Sequence, residues 1–211
     1  METSIDKKLA KALMDIKAVL LRPQEPFTWA SGWHSPIYCD NRRILSHPEL
    51  RAQVAQWLAD KAMELYPEAE VVAGVATGAI AHGVLAADMM QKPFVYVRPK
   101  PKDHGTGSQI EGELAPGKKV VVIEDLISTG MSSLAAVKAL RDAGAQVLGM
   151  VAIFTYGFDL AAKRFEEDNV QLDTLSNYSA LVEVASETGY ISPAAKSLLH
   201  EWRENPSEWG K

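Results

Sequence analysis

Residues 120–133, Val-Val-Val-Ile-Glu-Asp-Leu-Ile-Ser-Thr-Gly-Met-Ser-Ser, constrain the fold more than any other stretch, because a β-branched run ends in two adjacent acids and a turn of small residues. Val120–Ile123 has the length and branching of a strand buried on both faces of a parallel sheet. Ser128, Thr129, Gly130, Ser132 and Ser133 supply hydroxyls and backbone freedom before apolar residues resume at helical spacing through Leu134–Leu140. Backbone N–H groups at such a helix start attract phosphate. Glu124 and Asp125 would repel a phosphate placed directly on them, so neutral hydroxyls suit them better, with bound Mg2+ offsetting the negative charge. A phosphorylated ribose has both halves; the alternative is an ordinary strand, hydrophilic turn and helix. No Gly-Lys-Ser/Thr occurs, which excludes a Walker A loop, and Gly130 lacks the further glycines of a dinucleotide fingerprint.

The pattern around this stretch predicts an α/β fold with a mostly parallel central sheet flanked by helices. Val71–Val75, a turn at Ala76–Gly78, a helix over Ile80–Met90 and a strand over Phe94–Val97 form one crossover unit. Val120–Ile123, Leu134–Leu140 and Val147–Phe154 repeat it, with Gly144 stopping the helix. Upstream, Ile5, Leu9, Leu13, Ile16 and Leu20 predict an amphipathic helix over residues 4–20. Phe27–Asp40 reads as a short strand–turn–strand, and residues 47–65 as a helix with Pro48 in its first turn. Residues 98–117 are polar, rich in Gly and Pro, and as long as functional loops tend to be, so they are expected to form a mobile loop over the site. Downstream, Leu160–Glu167 and Pro193–Glu204 read as helices, while Leu181–Ser186 fits either helix or strand.

With 211 residues, 47% hydrophobic and 23% charged, the chain can bury one substantial core. The expected organisation is a single domain over 1–211, with residues 1–45 as an N-terminal annex or hood and 70–155 as the α/β core. A net charge of −5 argues against nucleic-acid binding by overall electrostatic attraction. Cys39 is the single cysteine, which excludes an intramolecular disulfide and a cysteine-rich metal site. His34, His47, His82 and His200 lack ligand spacing with a carboxylate, so they read as surface or packing residues and no zinc site is expected. No run approaches eighteen apolar residues, and no apolar signal core follows Met1, so a cytoplasmic location without membrane contact is expected.

The 120–133 stretch resembles the 5-phosphoribosyl-1-diphosphate (PRPP) motif of the type I phosphoribosyltransferases: four apolar residues, two acids, two further residues, then a Ser/Thr-Thr-Gly turn. The resemblance implies that Glu124 and Asp125 contact the ribose 2′- and 3′-hydroxyls. It also implies that the segment Leu126, Ile127, Ser128, Thr129, Gly130, Met131, Ser132 completes the PRPP site, its turn holding the 5′-phosphate. Mg2+ would arrive with PRPP, with no direct protein ligand.

Two further segments narrow the resemblance to the orotate phosphoribosyltransferase branch. Arg98-Pro99-Lys100-Pro101-Lys102-Asp103-His104-Gly105 concentrates cations suited to a departing diphosphate, although an exposed basic loop is the plain alternative. Its Lys-Asp-His-Gly ending is similar to that branch's loop, which closes over the neighbouring subunit's site. The resemblance implies that Arg98, Lys102 and His104 contact PRPP across a homodimer with shared active sites, and that Lys102, Asp103 and His104 act in catalysis. Some members carry a Lys where this chain has Pro99.

Phe27-Thr28-Trp29-Ala30-Ser31-Gly32-Trp33-His34-Ser35-Pro36-Ile37-Tyr38 resembles the same branch's Phe-Thr-x-x-Ser-Gly-x-x-Ser-Pro-x-Tyr/Phe pattern. Ser31 and Gly32 can offer backbone groups to a planar base while Ile37 and Tyr38 cover its face; a packed aromatic turn without ligand is the alternative. Ala30 stands where other members have Lys, leaving open which group meets an orotate carboxylate. The resemblance also brings Ser128 within reach of orotate. Ala73–Gly78 ends a second strand in a turn that could hold part of the diphosphate. The implied activity is transfer of a phosphoribosyl group from PRPP to orotate; the rivals are a purine-specific relative and a PRPP-sensing regulator that binds nucleic acid.

Overall fold

The computed structural model describes residues 3–29, 32–100 and 108–210. In chain order its elements are α1 (Ile5–Asp15), β1 (Val19–Leu21), β2 (Phe27–Thr28), β3 (His34–Ser35), β4 (Ile37–Cys39), a 3-10 helix over Asn41–Ser46, α2 (Pro48–Leu65), β5 (Val71–Val75), α3 (Ala79–Met89), β6 (Phe94–Val97), β7 (Ile110–Glu111), β8 (Lys119–Ile127), α4 (Met131–Asp142), β9 (Gln146–Thr155), α5 (Asp159–Glu167), β10 (Leu172–Asn177), α6 (Tyr178–Glu187) and α7 (Pro193–Glu204).

The main sheet has the order β10-β9-β8-β5-β6-β7. It is parallel except at its β7 edge, where Tyr96 faces Glu111 and Val97 faces Ile110 in antiparallel register. β8 runs near the centre because both its faces are apolar. Val121 and Ile123 enter one core cluster with Leu13, Leu58, Leu181 and Trp202. Val120 and Val122 enter the other with Val137, Leu140 and Phe165. That two-sided burial explains why β8 and β9 read as continuous apolar runs rather than alternating ones.

Three expectations are corrected. The N-terminal helix ends at Asp15 rather than residue 20: Lys17 turns the chain at φ 58°, and Val19–Leu21 pairs antiparallel with β4, setting Leu20 opposite Tyr38. β8 runs past Ile123 because its pairing with β9 continues through Glu124–Ala152, Leu126–Phe154 and Ile127–Thr155. The two acids therefore lie inside a strand, not beyond its end. Within 98–117, Ile110–Glu111 adds a short strand at the sheet edge. Leu181–Ser186 is helical, as part of α6. Among the described residues, no helix is long and apolar enough to cross a membrane.

Candidate active site

The site lies at the carboxyl ends of β5 and β8, where a parallel sheet exposes its turns to a ligand. β8 delivers both acids but gives them different surroundings. Glu124 is 4% exposed; its Oε2 accepts a hydrogen bond from Ser133 Oγ at 2.8 Å, and its Oε1 accepts one from the Asp125 N–H at 2.9 Å. Burial, and then the neighbouring Asp125 charge, push the Glu124 carboxyl well above the usual carboxylate range. Asp125 is only partly buried and leans over the turn after β5: a Cβ added to Gly78 would lie 2.1 Å from Asp125 Oδ2. Only glycine allows the two segments so close.

The turn between β8 and α4 forms as its small residues dictate. Gly130 sits at φ 79°, a left-handed conformation, and a Cβ there would meet Phe165 at 2.9 Å. Arg164 Nη1 donates to the Thr129 carbonyl at 2.9 Å, tying the turn to α5. Twelve-residue α4 thus points its N-terminus at Ser128–Gly130, where its dipole and free N–H groups favour an anion. Ser132 is exposed on the first turn, and Met131 is 64% exposed. Ile127 differs from its neighbours: its side chain is fully buried, and its carbonyl accepts the Tyr156 N–H at 3.1 Å, so it shapes the turn through the backbone.

Arg98 and Ser132 line one cavity of about 90 Å3 together with Val75, Ala76 and Gln109. The basic segment therefore begins beside both the phosphate turn and the turn after β5. Arg98 is held in place on both sides: its N–H donates to the Gln109 carbonyl at 2.8 Å, and Gln109 Nε2 donates back to the Arg98 carbonyl at 2.7 Å. Its guanidinium stands 3.7 Å from Glu111.

A second cavity, of about 250 Å3, is lined by Trp29, Tyr38, Cys39, Leu126, Ser128 and Tyr156. It brings Tyr38 and Ser128, both expected at a base, to one space. Ile37 is not there. Strand alternation turns its side chain fully into the core, and its carbonyl accepts Trp29 Nε1 at 3.2 Å and Ser35 Oγ at 2.9 Å. Trp29 takes the covering position instead, its ring tilted against Tyr156 with centroids 5.1 Å apart. Burial holds both the Tyr156 phenol and the Cys39 thiol protonated well past neutral pH.

Gly32, at φ 85°, has open space where a Cβ would stand, and its N–H donates to the Trp29 carbonyl at 2.8 Å. Ser31, Lys102, Asp103 and His104 lie outside the described residues. Sequence reasoning missed Tyr156, Cys39 and Asn41. Tyr156 has no local signal, since it reaches the cavity only because β9 pairs with β8. Asn41 follows the aromatic segment directly, and its Nδ2 donates to the Asp125 carbonyl at 2.7 Å. Among the described residues, no group of three or more His, Cys, Asp and Glu is placed to hold a metal ion.

Residues 40–187 match the family model described as "Phosphoribosyl transferase domain". The chain is 55% identical over 208 residues to the orotate phosphoribosyltransferase of Listeria innocua, covering 99% of this chain and 100% of that one. It is 53% identical over 207 residues to the orotate phosphoribosyltransferase of Porphyromonas gingivalis, covering 98% and 99%. Among solved structures, orotate phosphoribosyltransferase from Aeropyrum pernix superposes with a TM-score of 0.75 at 30% identity, covering 87% of this chain and 99% of that one.

Proposed function

The chain belongs to the phosphoribosyl transferase domain family and, within it, to the orotate phosphoribosyltransferases; from that membership we propose how its residues divide the work. The reaction transfers the 5-phosphoribosyl group of PRPP to orotate, giving orotidine 5′-monophosphate and diphosphate in pyrimidine nucleotide synthesis. At ribose C1 the bond to diphosphate oxygen breaks and a bond to orotate nitrogen forms. Orotate is already anionic, so the harder task is stabilising an oxocarbenium-like ribose and the departing diphosphate. No protein nucleophile is needed.

One observation carries the assignment: Asp125 and Ser128 stand three residues apart around the end of β8, and Ser128 borders the aromatic cavity while Asp125 faces the turn after β5. A ribose bound over Asp125 then has its C1 between the base cavity and the Arg98 cavity. In this reading Asp125 receives the ribose hydroxyls, and Glu124, held against Ser133, supports it from behind. Ser128–Ser132 and the α4 N-terminus take the 5′-phosphate, with Leu126 and Ile127 fixing the start of the turn. Orotate lies in the cavity against Tyr38 and Trp29, within reach of Ser128 and the Ser31-Gly32 backbone. Residues 1–45 serve as the annex that builds this base wall.

The leaving diphosphate meets Arg98, and Lys102 and His104 from a partner subunit close over it while Asp103 handles the proton or the loop geometry. The chain thus works as a homodimer with shared sites, in the cytoplasm. Among the described residues no group of protein ligands is placed to hold a metal, so Mg2+ would arrive coordinated by PRPP oxygens, beside the partly exposed Asp125 carboxylate. When bound with PRPP, Mg2+ supplies charge neutralisation for the diphosphate, while Asp125 orients the sugar beside it.

The test follows the ultraviolet absorbance of orotate on adding PRPP and Mg2+, with uracil, adenine, hypoxanthine and guanine compared by diphosphate release. Turnover of orotate alone supports the reading. Turnover of a purine would overturn the base assignment, and PRPP binding without turnover would favour a sensor. Mixing Lys102→Ala and Asp125→Ala chains tests the shared site: each is weak alone, and together they should recover activity.

A further inference from the structure

Asn41 lies outside every motif assigned above, yet its side chain ties two parts of the site together. It is 1% exposed and stands first in the 3-10 helix that Asp40 caps, the Asp40 carboxylate accepting the Arg42 N–H at 3.2 Å. Arg42 Nε also donates to the Asp40 carboxylate, at 2.7 Å, so the cap is fixed from two sides. With the backbone pinned there, Asn41 Nδ2 reaches 84 residues along the chain to donate to the Asp125 carbonyl at 2.7 Å. Its Oδ1 accepts from the Cys39 thiol at 3.4 Å, and Cys39 lines the base cavity.

Behind Asn41 stands His82 of α3, 1% exposed, with no well-formed hydrogen bond to either ring nitrogen among the described residues. Burial lowers its pKa, so the ring is a neutral wall rather than a competing cation. The Asp125 carbonyl lies near the end of β8, between the Glu124–Ala152 and Leu126–Phe154 pairs with β9. Asn41 adds a side-chain donor to this part-buried carbonyl and so cross-links the 3-10 helix to β8. Fixing the carbonyl fixes the rotation of the strand at Asp125, and with it the direction of the carboxylate over Gly78.

We propose that Asn41 is a positioning residue for PRPP: it aims the Asp125 carboxylate at the ribose by holding the Asp125 backbone, and links that aim to the base-cavity wall through Cys39. The inference rests on the assignment of Asp125 to the ribose. It predicts that Asn41 matters to the reaction only while the Asp125 carboxylate is present.

A double-mutant cycle on the full-length protein separates this from ordinary structural support. Asn41→Ala should lower kcat/KM for PRPP about tenfold, the consequence of losing this hydrogen bond beside a binding group. Asn41→Asp, which keeps the shape but cannot donate, should lose at least as much. In an Asp125→Ala background the carbonyl remains but the carboxylate is gone, so Asn41→Ala should change the residual kcat/KM less than about twofold. The same cycle read as PRPP affinity by calorimetry needs no turnover. An equal fold-loss in both backgrounds would reduce Asn41 to a structural brace, and a change below about twofold with Asp125 intact would remove the role altogether. If Asn41→Ala does not fold, Asn41→Asp carries the comparison. Failure of the wild-type protein to convert orotate with PRPP overturns the functional assignment instead, while the calorimetric cycle still decides the aim of Asp125.

Discussion

The phosphate turn and the base-cavity wall meet at Ser128, but they are assembled by different means. From Glu124 to Ser133 the chain is its own scaffold: the Glu124 carboxylate is satisfied by Ser133 and the Asp125 N–H, and Gly130 supplies the left-handed step into α4. The wall is assembled from separate segments. Trp29, Tyr38 and Cys39 come from the first forty residues, Leu126 from β8 and Tyr156 from the end of β9. Trp29 and Tyr156 are backed by Trp202 of α7, fully buried, with ring centroids 5.7 Å from Trp29, 5.8 Å from Tyr156, 5.3 Å from Phe158 and 5.4 Å from Tyr178. Its indole N–H donates to the His34 carbonyl at 3.2 Å. On the proposed reading, a phosphate grip can be encoded locally because backbone N–H groups would do the binding, whereas a surface for a flat ring needs side chains collected from distant elements.

The difference is sharpest at Trp202. Trp202→Ala should cost about 3–5 kcal/mol of stability by opening a cavity among four aromatic rings. It should raise the KM for orotate more than that for PRPP, measured by denaturant unfolding and by steady-state kinetics. Equal effects on both substrates would mean that the two regions are not separately supported. Asp125→Ala sharpens the contrast from the other side. It should lower kcat/KM for PRPP about 100- to 1,000-fold with the melting temperature nearly unchanged, since the loss falls on a group that faces the ligand.

Gly130→Ala probes the local scaffold alone. A left-handed alanine against Phe165 should cost about 1–3 kcal/mol and weaken PRPP binding, read by calorimetry, while leaving the orotate cavity intact. The smallest effect concerns Glu124, whose carboxyl burial raises from its ordinary 4.5. The folded chain keeps this proton where the unfolded chain has released it. Its contribution is therefore fully present below about pH 4.5 and is lost as pH rises toward the folded value. Glu124→Gln should flatten that part of the stability profile, followed as melting temperature against pH; an unchanged slope would show that the proton is not held there.

The same contrast explains what could be read from the residues alone. The parallel sheet, the acids and the phosphate turn lie in one contiguous stretch whose local chemistry has few solutions, so strand, turn and helix could be named in order. The limits of β8 could not, because the strand continues through Glu124 and Asp125 only by virtue of β9 beside it. The end of α1 was hidden for a similar reason: Leu20 keeps helical spacing, but pairing with Tyr38 claims it for a strand. Of the two neighbours expected to cover a base, Tyr38 lines the aromatic cavity while Ile37 turns into the core, since the phase of a three-residue strand is set by its partners. Tyr156 and Trp202 carried no signal near the motifs they serve.

The reciprocal bonds between Arg98 and Gln109 clasp two residues that are eleven positions apart in the sequence, both of them lining the Arg98 cavity. One half of the clasp is a backbone donor and the other a side-chain donor, so replacing Gln109 removes one half while the backbone half persists.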